Sequence, residues 1–134
     1  MTLATLAPLF DVPGVAWHSL QLGADDEIAR TPAASAIVPL PADIPLDDTA
    51  ALIAELDLVV SVDTSIAHLA GALARPLWVM LPFAPGWRWR VGGDGSAWYP
   101  TARLFRQSAP RMWADVVARL RNSLTARIAG TLER

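Results

Sequence analysis

The chain has 134 residues, which is enough for one domain with a buried core and too few for two domains of ordinary size. Hydrophobic residues make up 53% of it and charged residues 18%, a balance that excludes disorder and favours a well-buried sheet. The formal net charge is −2, so the composition gives no support to a nucleic-acid partner.

Missing residue types exclude further classes of chemistry. The chain has no cysteine, which excludes disulfides, a thiolate nucleophile and a cysteine metal site. All its basic residues are arginines, so it has neither a P-loop lysine nor a Schiff-base lysine. The two histidines stand at no metal-binding spacing, and we expect neither a metal nor another cofactor. No apolar run approaches the ~20 residues that span a bilayer and the first residues do not form a secretory signal, so we expect a soluble, cytoplasmic chain.

Apolar periodicity and the positions of proline and glycine predict an α/β order of elements. Runs without polar alternation indicate buried strands, and apolar spacings of three and four residues indicate amphipathic helices. In chain order we predict a helix over 3–10, a strand over 15–22, a loop over 23–43 with a short strand at 36–38, a helix over 49–56, strands over 58–62 and 77–81, an edge strand over 102–106, and a long helix from about residue 110. Because strands alternate with short helices, the sheet should be parallel.

The segment after the strand over 58–62 is the most informative part of the sequence. There an apolar, β-branched run changes within a few residues into polar side chains and then into a helical pattern. We expect Asp63 or Thr64 to cap a helix that ends before Pro76. The predicted apolar face of this helix consists of Ile66, Leu69, Ala70 and Leu73.

The polar residues at the start of this helix form a candidate diphosphate site. Thr64 and His68 are four residues apart and therefore share a helix face, with Ser65 beside them. Unpaired N–H groups and the helix dipole attract phosphate at a helix N-terminus, and hydroxyl groups add donors. The structural alternative is that Asp63, Thr64 and Ser65 are ordinary helix caps and that His68 is a satisfied core residue.

A second polar segment should lie next to this turn. Ligands of parallel α/β sheets bind beyond the carboxyl ends of the strands. The loop 82–85 follows the strand over 77–81, so it and the turn at Asp63 should be adjacent walls of one cleft.

The loop 86–100 concentrates tryptophans and arginines around glycines. Trp87, Trp89 and Trp98 have two interpretations that the sequence leaves open. In the first, the rings stack on a ligand while arginines such as Arg88 pair with anions. In the second, the rings close the edge of the sheet as a packed cap.

The long C-terminal helix carries an apolar stripe. This stripe consists of Trp113, Val116, Val117, Leu120, Leu124 and Ile128. If part of it is uncovered, the chain should form a homodimer through this face. If the stripe packs wholly within the chain, the protein should remain a monomer.

The run 57–73 resembles the nucleotide-sugar-binding segment of the family 9, heptosyltransferase-like glycosyltransferases. The segments that follow resemble the glycosyltransferase-like domain found after tetratricopeptide repeats in bacterial proteins. These segments are Pro82 to Pro85, Trp87 to Trp89, Trp98 to Pro100 and Leu104 to Gln107. The resemblance covers residues 3–124 and implies a Rossmann-like parallel sheet flanked by helices, the C-terminal half of a GT-B fold.

The resemblance also implies roles for individual residues. In it, Thr64 and Ser65 contact the donor diphosphate, Asp63 lies near the sugar, and His68 braces or contacts the phosphates. The predicted substrate-binding residues are Asp63, Thr64, Ser65, His68, Pro82, Phe83, Trp87 and Arg88. No catalytic residue is predicted, because the acceptor-binding half with its acidic base is not among these 134 residues.

The sequence therefore predicts a single domain over 1–134 that binds a nucleoside diphosphate sugar and is a fragment of a longer protein. Its expected partner is the missing N-terminal GT-B half or a repeat domain. Half a cleft does not exclude water, so the isolated chain should not catalyse transfer. The alternative is a non-catalytic, Rossmann-like interaction or nucleotide-sensing module attached to tetratricopeptide repeats. A flavodoxin-like site is disfavoured, because no phosphate-binding loop follows the first strand.

Overall fold

A computed structural model describes residues 1–32, 36–41, 43–90 and 92–132 of the chain. The chain forms two compact units, the first made of Met1–Asp43 and Trp113–Arg134 and the second of Ile44–Met112. The elements in chain order are a 3-10 helix (Leu3–Leu6), α1 (Ala7–Phe10), β1 (Trp17–His18), α2 (Asp25–Arg30), β2 (Ile37–Val38), α3 (Leu46–Glu55), β3 (Val59–Val62), α4 (Ser65–Ala72), β4 (Leu77–Leu81), a second 3-10 helix (Trp87–Trp89), β5 (Ala102–Arg106) and α5 (Trp113–Leu132). None of the helices in the described ranges is long and apolar enough to cross a membrane.

The first unit contains a small parallel sheet and the long helix. Strand β1 pairs in parallel with β2, and Trp17 lies opposite Ile37. Ile37 is buried together with Ala24 and Ile28, and the ring of Trp17 packs against this cluster. Helix α5 contacts α1 and the first 3-10 helix.

The second unit contains a three-stranded parallel sheet in the order β3-β4-β5. Val59 lies opposite Leu77 in the β3–β4 pair, and Leu77 lies opposite Ala102 in the β4–β5 pair. All five residues of β4 are buried, as expected for the middle strand of a covered sheet. The three strands end at the same edge, and α4 packs on β3 and β4. The predicted fold class, a Rossmann-like parallel α/β arrangement flanked by helices, is confirmed.

Several predicted boundaries in the first half of the chain are wrong. The segment 23–43, predicted as mostly loop, contains α2; its residues 33–35 and 42 lie outside the described part. Three acidic side chains in the first turn of α2 and Arg30 in its last turn complement the helix dipole, which favours a helix there. The predicted strand over 15–22 is only two residues long. Helix α3 begins at Leu46 with Pro45 as its N-cap, so Asp47 and Asp48 lie in its first turn.

The buried face of α4 also differs from the prediction. Its buried residues are Ala67, Ala70 and Gly71, whereas Leu73, predicted on the apolar face, is 40% exposed. Of the predicted face, Ala70 is buried and Ile66 and Leu69 are partly buried, so the prediction is wrong only at Leu73 and missed the small residues Ala67 and Gly71.

The apolar stripe of α5 is confirmed. Val116, Val117, Leu120 and Leu124 are all buried within the chain. The homodimer was predicted on the condition that this stripe is partly uncovered. Because its central residues are buried, the stripe no longer supports the homodimer, which stays a prediction.

We expect Leu120→Ala to lower the free energy of unfolding by about 2–5 kcal/mol, because a fully buried leucine leaves a cavity. The matched control is Leu22→Ala in the same unit, where the side chain is 59% exposed and the change should stay within about 0.5 kcal/mol. Urea unfolding followed by circular dichroism measures both values. Equal, small effects of the two substitutions would contradict the burial of this stripe.

Candidate functional site

The turn between β3 and α4 presents a helix N-terminus without a side-chain cap from its N-cap residue. Thr64 is the N-cap in extended conformation, and its side chain makes no capping hydrogen bond. Its Oγ1 lies 3.0 Å from Oγ of Ser61. The Ser61 hydroxyl donates to the carbonyl oxygen of Val62 at 2.9 Å, so the Thr64 hydroxyl is the donor to Ser61. The first intrahelical bond runs from the His68 N–H to the Thr64 carbonyl, which leaves the earlier N–H groups of α4 without helical partners.

The expectation that Asp63 or Thr64 caps α4 is confirmed in position, since Thr64 is the N-cap residue, but its side chain makes no capping hydrogen bond. Thr64 occupies the cap position, but the hydroxyl of Ser61 holds its side chain. Ser61 belongs to β3 and was not among the predicted site residues. The side chains of Thr64 and Ser65 are exposed.

The ring of His68 is held on three sides. Its Nε2 lies 3.2 Å from Oδ1 of Asp63, and its Nδ1 lies 2.9 Å from the hydroxyl of Tyr99. Since a carboxylate only accepts hydrogen bonds, Nε2 carries the proton, and in the neutral ring Nδ1 accepts from Tyr99. The ring also stacks on buried Trp89 with centroids 5.5 Å apart and planes 18° from parallel.

Tyr99 reaches His68 because α4 has a glycine at the contact. A Cβ atom at Gly71 would overlap with three ring carbons of Tyr99. A glycine inside a helical pattern often marks such a close approach, and this is the signal that could have identified the contact from the sequence.

The carboxyl ends of β4 and β5 lie next to this turn. Phe83, two residues after β4, donates its N–H to Oε1 of Gln107 at 3.1 Å, and Gln107 follows β5 directly. A Cβ atom at Gly86 would lie 3.7 Å from Oδ2 of Asp63. The turn and the loop after β4 are therefore neighbours, as expected from the parallel topology.

The packed-cap interpretation of the tryptophan-rich loop holds for Trp89, whereas ligand stacking by Trp87 and Trp98 stays a prediction. Trp89 is 1% exposed and packs against His68, whereas Trp87 is 71% and Trp98 60% exposed. The rings of Trp87 and Trp98 meet edge to face at 6.1 Å, and the guanidinium of Arg88 lies 4.8 Å above the Trp87 ring. One tryptophan thus closes the structure, and two remain accessible.

Arg106, the last residue of β5, holds this loop by hydrogen bonds to its backbone. Its guanidinium donates to the carbonyl oxygens of Trp89, Gly92 and Gly93. Burial lowers the pKa of Arg106 by desolvating its charged form. These bonds hold the backbone next to the buried and the exposed tryptophans.

The structure brings Asp63, Thr64, Ser65 and His68 together in one turn. Pro82 and Phe83 lie at the adjoining strand end, and Trp87 and Arg88 lie on the exposed side of the loop. That these eight residues bind substrate stays a prediction. Sequence reasoning missed the residues that support them, which are Ser61, Gly71, Tyr99 and Gln107. Among the residues that the structure describes, no three acidic or histidine side chains gather into a possible metal site.

The fold and the turn define a Rossmann-like α/β protein with a polar helix start at the carboxyl end of a parallel strand. Residues 16–80 match the model of glycosyltransferase family 9 (heptosyltransferase), and the predicted family is thereby confirmed over this segment. Protein FlbA of Caulobacter vibrioides is 34% identical over 125 residues, which are 87% of this chain and 20% of FlbA. The chain thus spans about a fifth of the length of this curated relative. No solved structure matches the chain.

We expect Gly71→Ala to lower the free energy of unfolding by about 1–3 kcal/mol, because the new methyl group displaces the Tyr99 ring. Gly130→Ala in α5 is the matched control, since a Cβ there meets nothing within 4 Å and should raise stability by up to about 1 kcal/mol. Denaturant unfolding compares the two, and stabilisation by both would contradict the contact between Tyr99 and α4.

Proposed function

We propose that this chain is the donor-binding half-domain of a GT-B glycosyltransferase-like protein. In this proposal the start of α4 binds the diphosphate of a nucleoside diphosphate sugar. The observation that carries it is the N-terminus of α4, which follows the carboxyl end of β3 and has no capping hydrogen bond from Thr64. The match of residues 16–80 to glycosyltransferase family 9 supports this proposal.

The chemistry of the turn suits a dianionic ligand. The first N–H groups of α4 and the positive end of its dipole attract an anion. The exposed hydroxyls of Thr64 and Ser65 add donors, and a rotation of the Thr64 hydroxyl away from Ser61 redirects its proton. The carboxylate of Asp63 repels phosphate, so its place in the complex is near the hydroxyl groups of the sugar.

The neighbouring loop would border the rest of the donor. Pro82 and Phe83 adjoin the turn, and the exposed ring of Trp87 offers a flat surface on which a base or sugar face packs. Arg88 places a positive charge beside that ring. Each of these roles follows from position and chemistry, and each is part of the proposal.

Sugar transfer in this proposal belongs to the longer protein. Transfer requires a base on the acceptor side and a cleft closed against water, and a half-domain supplies neither. The chain covers only 20% of FlbA, so the rest of such a protein has ample length for an acceptor half or for tetratricopeptide repeats.

A second candidate function is that of an association or nucleotide-sensing module. The exposure of Phe83, Trp87 and Trp98 favours it, because large exposed aromatic side chains are enriched at protein interfaces. An association module binds no donor at the turn, whereas the proposed half-domain does. Direct binding measurements therefore distinguish the two.

We expect the isolated chain to bind UDP-, ADP- or GDP-sugars with affinities near the millimolar range, because the half that would bury the donor is missing. Ligand-detected NMR with each nucleotide sugar measures this. A folded chain that contacts none of them at several millimolar would contradict the proposal and favour the association module.

A negative charge introduced at the start of α4 tests whether the nucleotide sugar binds there. Ser65→Asp should abolish binding by repelling the diphosphate, while leaving stability unchanged or raising it by up to about 1 kcal/mol through the helix dipole. Thr101→Asp is the matched control, because it adds the same charge at the exposed residue before β5, at the opposite edge of the sheet. Equal loss of binding in both variants would indicate a nonspecific charge effect and not a site at the turn.

A further inference from the structure

We propose that Tyr99 is a positioning residue for the diphosphate site. By holding His68, it keeps the carboxylate of Asp63 paired with the imidazole and away from the N–H groups at the start of α4. The inference rests on the function proposed above and assigns a residue outside the segment 16–80 that matches the family.

Tyr99 is itself held in place by its surroundings. Its ring fills the space left by Gly71, and its carbonyl oxygen accepts from the N–H of Ala102 at 2.9 Å. Its N–H donates to Oγ of Ser96 at 3.3 Å. The hydroxyl is therefore presented to Nδ1 of His68 from a fixed position, 2.9 Å away.

The Asp63 carboxylate, which only accepts, favours the proton of the neutral His68 ring on Nε2, and the Tyr99 hydroxyl then donates to Nδ1 and holds the ring in that orientation. When Nδ1 accepts from the hydroxyl, the proton of the neutral ring stays on Nε2, which faces Oδ1 of Asp63 at 3.2 Å. Stacking on Trp89 keeps the ring plane fixed. Tyr99, His68 and Asp63 thus form one series of polar contacts, a hydrogen bond from Tyr99 to His68 and a close contact from His68 to the Asp63 carboxylate.

These contacts among Tyr99, His68 and Asp63 matter because Asp63 stands directly before the N-cap. A carboxylate near a helix N-terminus is attracted to the same N–H groups as a phosphate, and it repels the phosphate when both are present. In the structure Oδ1 of Asp63 lies 3.2 Å from Nε2 of His68, and among the described residues no hydrogen bond joins the Asp63 side chain to the start of α4. Release of Asp63 would therefore create a competitor for the ligand within the protein.

The test is Tyr99→Phe, which removes the hydroxyl and keeps the ring against Gly71. UDP, ADP and GDP serve as probes, and the one that binds the unmodified chain most tightly is used for comparison. We expect its Kd to rise about three- to tenfold, the range given by one lost hydrogen bond. Thr31→Val is the matched control, since it removes a part-buried hydroxyl that donates to the Glu27 carbonyl in the other unit. Its Kd should not change.

A double-mutant cycle separates positioning from a merely structural role. If Tyr99 acts through His68 on Asp63, then Asp63→Ala and the double variant with Tyr99→Phe should bind the probe equally well. If Tyr99→Phe weakens binding by the same factor with and without Asp63, the inference is overturned.

The nitrogen chemical shifts of His68 give a readout that needs no ligand. We expect a protonated Nε2 and an unprotonated Nδ1 in the neutral ring of the unmodified chain. In Tyr99→Phe we expect a mixture of tautomers, because the ring is then free to turn away from Asp63; exposed His18 is the internal control. An unchanged His68 signal would overturn the inference. Failure of every nucleotide to bind the unmodified chain would overturn the proposed function itself, whereas binding that Tyr99→Phe leaves intact would overturn only the role of Tyr99.

Discussion

The parallel pairing of β3, β4 and β5 is the constraint on which the site depends. Because all three strands run in one direction, the residues that follow them meet at one edge of the sheet. The polar turn after Val62, the loop after Leu81 and Gln107 after β5 become neighbours for this reason, although they are far apart in sequence. The complete burial of β4 holds this geometry, since its apolar side chains fix the register on both sides.

Helix α4 obtains its stability from packing and not from its start. Its buried residues are Ala67, Ala70 and Gly71, which allow close approach to β3, β4 and Tyr99. Its N-cap side chain contributes no capping bond, a feature that commonly costs a helix about 1 kcal/mol. In the function proposed above, this open start leaves the first N–H groups to an anion, for which a side-chain cap would compete.

The sequence specified the features that depend on neighbours along the chain. Unbroken apolar runs identified β3 and β4, and the polar residues after β3 identified the turn, because both signals lie within a few residues.

The sequence did not specify contacts that folding creates. His68 and Tyr99 are 31 positions apart, and only the strand order brings them together. The partner of Thr64 was missed for a different reason, since two hydroxyls three residues apart pair only when the strand ends in this conformation. Helix α2 was missed because its stabilising charges lie in a segment interrupted by prolines.

Trp87 and Trp89 lie in one short segment, yet Trp89 is buried and packs inside the unit while Trp87 is exposed to solvent. The second 3-10 helix directs Trp89 inward onto His68 and leaves Trp87 in solvent, while Arg106 bonds the carbonyl oxygen of Trp89 and keeps that turn fixed. The exposed ring is thus carried by a backbone that is already ordered, so this loop would lose little conformational entropy if a ligand or partner packed on it. The side chain of Thr64 is likewise held, by its hydrogen bond to Ser61. At this edge of the sheet, buried residues hold the backbone in place and leave the side chains beside them accessible to solvent.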